Sequence, residues 1–157
     1  MIFTTKAEYG VRLLIELGRH QTPDGAATPV SLKAIAEAEG LPLAYLERIV
    51  ALLKKADIVE STRGAHGGYK LARDPETLTM DEVVVALEGA VAPMTCFVDD
   101  TDGNRVLCSH EADAGHGCAT KLLWTRVQGG IIRSLQTTTL AELVEFSRRT
   151  ERTPTAA

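Results

Sequence analysis

Three cysteines, Cys96, Cys108 and Cys118, fall in one polar stretch of a 157-residue chain, "TCFVDDTDGNRVLCSHEADAGHGC", beside His110 and His116. Their spacings are C-x11-C and C-x9-C. A structural zinc site pairs its thiolates about two to four residues apart, and these are not such pairs. Soft thiolates set far apart in a pliable segment can reach around a larger object. An iron-sulfur cluster, 2Fe-2S or 4Fe-4S, fits that size and prefers those donors. Two other uses of the same residues stand beside it: zinc in a Cys3His set with His110 or His116, and free thiols without a cofactor. A thiol oxidoreductase working through Cys108 or Cys118 lacks support, because there is no C-x-x-C and no strand-helix pattern around the thiols.

A second kind of chemistry lies in the first half. "SLKAIAEAEG" opens on Ser31, an N-cap type, and stops at Gly40, a residue suited to the left-handed end of a helix. "LPLAYLERIVALLKKADIV" follows, with Pro42 in a first-turn position and Leu43, Leu46, Ile49, Val50 and Leu53 as its apolar stripe. Two short helices joined by a glycine turn predict a helix-turn-helix. Ala44, Tyr45, Glu47 and Arg48 then stand at the start of the second helix, where a recognition helix meets base edges. There Glu47 can accept from a cytosine amino group and Arg48 can fork onto guanine or grip phosphate. The plain alternative for Glu47 and Arg48 is a surface ion pair. "DIVESTRGAHGGYKLAR" reads as a hairpin, with Gly64, Gly67 and Gly68 at the tip, Arg63 and His66 flanking it, and Tyr69 and Leu71 leading out. Such a cationic, backbone-exposing finger is a wing that lies against phosphates or a minor groove.

The elements that must position these residues follow from apolar periodicity. An opening helix carries Ala7, Gly10, Val11, Leu14, Leu17 and Gly18, and "TMDEVVVALEG" is a short helix with a capping box of Thr79 and Glu82. After the cysteines, Leu123, Val127, Ile131 and Leu135 repeat at a helical period with Leu122, Trp124 and Ile132 adjacent. That stripe is wider than one helix on a small domain needs, so part of it is expected to meet a second copy. Thr139 and Glu142 form another capping box, and residues 148–157 read as a flexible tail.

The net charge of −4 is unevenly spread: residues 1–75 hold ten Lys/Arg against nine Asp/Glu, and residues 76–157 seven against twelve. DNA contact is therefore expected from local patches in the first half. No apolar run approaches the roughly 18 residues of a membrane span, and charges interrupt the opening segment, so the expected compartment is the cytoplasm.

These stretches together, over about residues 1–145, resemble the Rrf2 family of winged-helix regulators, which includes iron-sulfur regulators of the IscR and NsrR type. The match rests on "TTKAEYGVRLLIELG", "SLKAIAEAEGLPLAYLERIVALLKKADIVESTRGAHGGYKLAR", "TLTMDEVVVALEG" and a cysteine cluster running into "CATKLLW". The resemblance implies a homodimer in which the long helix crosses to the partner and two winged domains read a pseudo-palindromic DNA operator. It places Tyr45, Glu47 and Arg48 on the recognition helix, Arg63, Gly64, Gly68 and Tyr69 in the wing, and Cys96, Cys108 and Cys118 on the cluster. This loop is longer than the family's usual one, and Lys121 stands where IscR-like members have a histidine ligand. NsrR-like members borrow a carboxylate from the partner's first helix, a place the partner's Glu8 would fill.

The fold class expected is mainly α with a small β-wing. It divides into a winged helix-turn-helix domain (1–75), a linking helix (76–90), a cysteine cluster loop (91–118), a dimerisation helix with a C-terminal helix (119–147), and the tail. The function expected is a DNA-binding repressor or dual regulator, not an enzyme, that senses redox state, nitric oxide or iron supply. The rival is a cluster-free regulator under a small effector or a partner protein.

Overall fold

Ser31, Gly40, Thr79 and Thr139 mark helix ends in the computed structural model as their chemistry requires; it describes residues 3–22, 27–64, 66–92 and 119–152. The elements are α1 (Thr5–Arg19), α2 (Leu32–Glu39), α3 (Leu43–Lys55), β1 (Val59–Thr62), β2 (Gly68–Leu71), α4 (Met80–Glu88), α5 (Ala119–Thr137) and α6 (Leu140–Arg152). Ser31 Oγ accepts from the Ala34 amide at 3.1 Å, and α2 ends on Gly40 at φ 63°, a left-handed conformation that a Cβ would strain. Pro42 lies just outside α3 as its N-cap, so the helix begins at Leu43. Leu43 was expected in the buried stripe, yet it is 38% exposed. As the first helical residue, it precedes the turns whose Leu46, Ile49, Val50 and Leu53 reach the core.

α1 supplies the centre of the fold. Its Leu13, Leu14 and Leu17 join Ile35, Leu46, Ile49, Leu53, Ile58, Leu78, Val83 and Leu140 in one apolar cluster. Leu13 lay outside the predicted stripe but is fully buried, because helices cover α1 on several sides and its apolar face is wider than one stripe. β1 and β2 pair antiparallel with Val59 opposite Leu71 and Thr62 opposite Gly68. The Tyr69 backbone also exchanges two hydrogen bonds with Val30, of 2.9 and 2.8 Å, so the strand-like residue before α2 holds β2 on the side away from β1.

The second half docks on this frame. The Met80 amide donates to the Thr138 carbonyl and the Leu140 amide to the Leu78 carbonyl, each at 2.9 Å, which ties the starts of α4 and α6 together. α6 runs to Arg152, beyond the point where the sequence reading turned to tail. Arg148 holds this extension by donating to the Gly18, Arg19 and Gln21 carbonyls at 3.1 to 3.2 Å, closing the end of α1 with a cation.

The capping box of α4 yields a pH prediction. Burial pushes the Glu82 carboxyl up, but hydrogen bonds from the Arg73 guanidinium and from the Thr79 amide and hydroxyl, with the Arg73 charge, outweigh it and leave its pKa below 4.5. A carboxylate lowered on folding stabilises the folded state fully above its unfolded pKa, and that contribution fades as pH falls through the lowered value. Glu82→Gln is therefore expected to be less stable than the parent near neutral pH. Urea titrations at a series of pH values should show the gap closing below about pH 4.

Candidate nucleic-acid interface

α2, the Gly40 turn and α3 form a helix-turn-helix, and β1 and β2 follow as its wing. Leu43, Ala44, Glu47 and Arg48 are exposed along the first turns of α3, while Leu46, between them, is buried. Tyr45 is half-buried: its ring meets Tyr9 of α1 edge-on, with centroids 5.6 Å apart and planes at 89°. Glu47 and Arg48 make no ion pair or hydrogen bond with each other or with any described side chain. Arg63 and His66 are likewise exposed at the wing, flanking Gly64 at φ 115°.

Of the other cations of this half, all but Lys55, in the last turn of α3, are engaged. Arg12 pairs with Glu39 at 2.8 Å, Lys70 with Glu60 across the strands at 2.8 Å, and Arg73 with Glu82 at 2.9 Å. Lys54 Nζ donates to Ser61 Oγ at 2.8 Å and lies 6.0 Å from the Tyr69 ring centroid. Of the three unengaged cations, Arg48 and Arg63 sit on the first turns of α3 and on the wing, the parts a duplex would meet. Tyr69, placed in the wing by resemblance, is half-buried and held by Val30 and Lys54. Leu43 is a feature the sequence reading assigned to the core; exposed beside Ala44, it is the kind of apolar group that meets a thymine methyl.

Cys96, Cys108, Cys118, His110 and His116 lie outside the described residues, so the structure gives no geometry for a cluster. It does describe the roots of their segment. Val91, after α4, is buried, and its carbonyl accepts from Gln128 Nε2 of α5 at 2.7 Å. Glu8 is exposed in the first turn of α1, free of ion pairs among the described residues. With Phe3, Val11, Arg12, Val84 and Leu135 it lines a hollow of about 540 Å³. Among the described residues, no group of His, Cys, Asp and Glu is arranged to hold a metal.

α5 leaves apolar surface open. Leu122 and Leu123 are 59% and 56% exposed, and Trp124, Val127, Ile131, Ile132 and Leu135 are half-buried. No described helix is long and apolar enough to cross a membrane.

Comparison with known proteins agrees with this geometry. Residues 3–146 match the family profile described as Rrf2, iron-dependent transcriptional regulator. Protein rrf2 of Nitratidesulfovibrio vulgaris is 38% identical over 144 residues, 92% of this chain and 87% of its own length. The solved structure of CymR, the global cysteine regulator of B. subtilis, superposes with a TM-score of 0.73 at 31% identity, covering 93% of this chain and 98% of that one. T. potens IscR superposes with the same TM-score, 0.73, at 32% identity over 100% of this chain and 93% of its own. Matched over almost its whole length and carrying the winged helix of its relatives, the chain belongs to the Rrf2 family of DNA-binding transcriptional regulators, which are not enzymes.

Proposed function

We propose that this protein is a cytoplasmic homodimeric repressor that reads a pseudo-palindromic operator with α3 and the wing, under the control of an iron-sulfur cluster on Cys96, Cys108 and Cys118. One observation carries the DNA reading: Glu47, Arg48 and Arg63 are exposed and unengaged on the first turns of α3 and on the wing, while Arg12, Lys54, Lys70 and Arg73 are held by partners. Arg48 and Arg63 supply charge to phosphate or guanine, Glu47 accepts from cytosine, and Leu43 and Ala44 offer apolar contact. The backbone at Gly64, with open space where a side chain would stand, lets the wing approach the sugar-phosphate chain closely, while Gly68, in the wing by resemblance, turns its bare Cα to the Val30 main chain.

Two outcomes separate these roles. Arg63→Ala is expected to weaken binding to all duplexes and reduce the salt dependence, whereas Glu47→Ala is expected to relax choice at one base pair per half-site, by about 1 to 3 kcal/mol. Footprinting with duplexes varied one position at a time measures both. An unaltered preference in Glu47→Ala would show that this side chain reads no base.

For the sensor, three thiolates in one segment are the donor set a cluster prefers. A bound cluster would supply a centre that reacts with oxidants, nitric oxide or changes in iron supply. The partner's Glu8 is the fourth ligand we favour over His110 and His116: its carboxylate is exposed and unpaired among the described residues, and Lys121, while protonated, has no lone pair to offer. The similarity to CymR, the global cysteine regulator of B. subtilis, favours a second reading, a cluster-free regulator answering to a small effector or a partner protein.

Anaerobic purification with iron and sulfide assays decides between them. The cluster reading expects brown protein that loses most of its iron and visible absorbance in Cys108→Ala. Colourless, iron-free protein with full DNA binding would support the second reading instead. A Glu8→Ala spectrum identical to the parent's, beside a changed one for His110→Ala or His116→Ala, would move the fourth ligand into the loop.

A further inference from the structure

α1 grips the helix-turn-helix at two points of different character. Arg12 Nε donates to Glu39 Oε2 at 2.8 Å, and Arg12 Nη2 donates to the Glu39 carbonyl at 2.6 Å. That carbonyl is one of the last four of α2, which have no donor within their own helix, and a guanidinium there also meets the negative end of the helix dipole. The next residue, Gly40, starts the turn into α3. Three residues before Arg12, on the same side of α1, Tyr9 meets the Tyr45 ring in the first turn of α3. An edge-on aromatic contact tolerates rotation and sliding, whereas two charge-assisted bonds from one planar guanidinium do not. The Arg12 grip therefore sets the angle at which α3 leaves the turn.

We propose that Arg12 is a positioning residue for base recognition, fixing the direction of α3 through the Glu39 carboxylate and carbonyl without touching DNA itself. The proposal rests on α3 being the element that meets base edges. A duplex site is read by side chains that must each land on one base pair. A small pivot of α3 about the Tyr9–Tyr45 contact would carry Glu47 and Arg48 out of register together, while wing and phosphate contacts adjust. Loss of Arg12 thus removes discrimination in preference to general affinity.

The test uses a duplex selected by the parent protein from a random-sequence pool and a scrambled duplex of equal length, with anisotropy titrations at one salt concentration. Arg12→Gln is expected to lower the ratio of selected to scrambled affinity about tenfold, with scrambled affinity little changed and, despite the lost bonds, the protein still fully folded at the assay temperature. Arg12→Lys, which carries the charge but not the fork, should recover part of the ratio. An unchanged ratio in Arg12→Gln overturns the proposal, as does a ratio that falls only in step with the melting temperature. Should Arg12→Gln fail to fold, Glu39→Gln retains the shape and the carbonyl bond, and a smaller loss of ratio is then expected, with no loss overturning the proposal. If the parent selects no sequence at all, the DNA reading itself fails, an outcome distinct from intact selection that ignores Arg12.

Discussion

Gly68→Ala is expected to destabilise the protein by about 3 kcal/mol, at the upper end of what one added methyl costs in a packed site. A Cβ at Gly68 would lie 2.5 Å from both the carbonyl carbon and the oxygen of Val30, and 2.9 Å from its nitrogen. These are main-chain atoms, and Val30 is held by its two hydrogen bonds to Tyr69. No rotamer can relieve the contact. Either the Val30–Tyr69 bridge breaks or β2 shifts away from α2, and the second response also moves the wing tip. Urea unfolding measures the first cost. A fall in affinity for every duplex, matching that of Arg63→Ala in character, would report the displaced wing. A stability within about 0.5 kcal/mol of the parent, the scatter expected of a surface change, would mean that the junction is looser than its geometry indicates.

Ile131→Asp is expected to yield monomers. Ile131 lies half-exposed on α5, in register with Leu123, Val127 and Leu135 along a helix with no buried side chain among its described residues. A second copy laid along this stripe would cover Ile131, and an aspartate there would have to enter the interface as an unpaired charge. At about 4 kcal/mol, that penalty raises the dimer dissociation constant on the order of a thousandfold. Sedimentation at micromolar concentration would show the change. Arg133→Asp, two residues on and about 200° round the helix, should leave association intact. Parent and Ile131→Asp sedimenting alike as dimers would exclude this helix from the interface.

What could be read in the sequence was local. Ser31, Gly40, Thr79 with Glu82, and Thr139 with Glu142 act within three or four residues of themselves, so their roles as caps were visible in one dimension and recur in the structure. The winged helix followed from such signals plus apolar spacing. The arrangement of the wing and its neighbours was not legible. Val30 pairs with Tyr69, Arg12 with Glu39 and Arg148 with the end of α1, contacts between residues up to 130 apart that no periodicity announces. Leu43 was misplaced for a related reason. Helical spacing gives the side of a helix but not how far along it the neighbouring elements extend. For the candidate site, residue types named Glu47, Arg48 and Arg63 as exposed cations and acceptors, but only the structure shows that they are unengaged while Arg12, Lys70 and Arg73 are taken.

The Arg148 clasp on the end of α1 has a consequence for the order in which the protein can be made. Its bond to Gly18 spans 130 residues, and Val144 fits against Gly18 only because that residue has no side chain, a Cβ there standing 2.6 Å from Val144 Cγ2. During synthesis at about 5 to 20 residues per second, roughly 7 to 26 seconds separate the appearance of one end of this contact from the other. Through that interval the C-terminal turn of α1 waits with its carbonyls bare and part of its apolar face uncovered. The winged half emerges early but cannot finish packing until α6 arrives. A ribosome stalled before residue 140 should therefore hold a nascent chain whose first helix remains open to protease attack, closing only when the later segment is released.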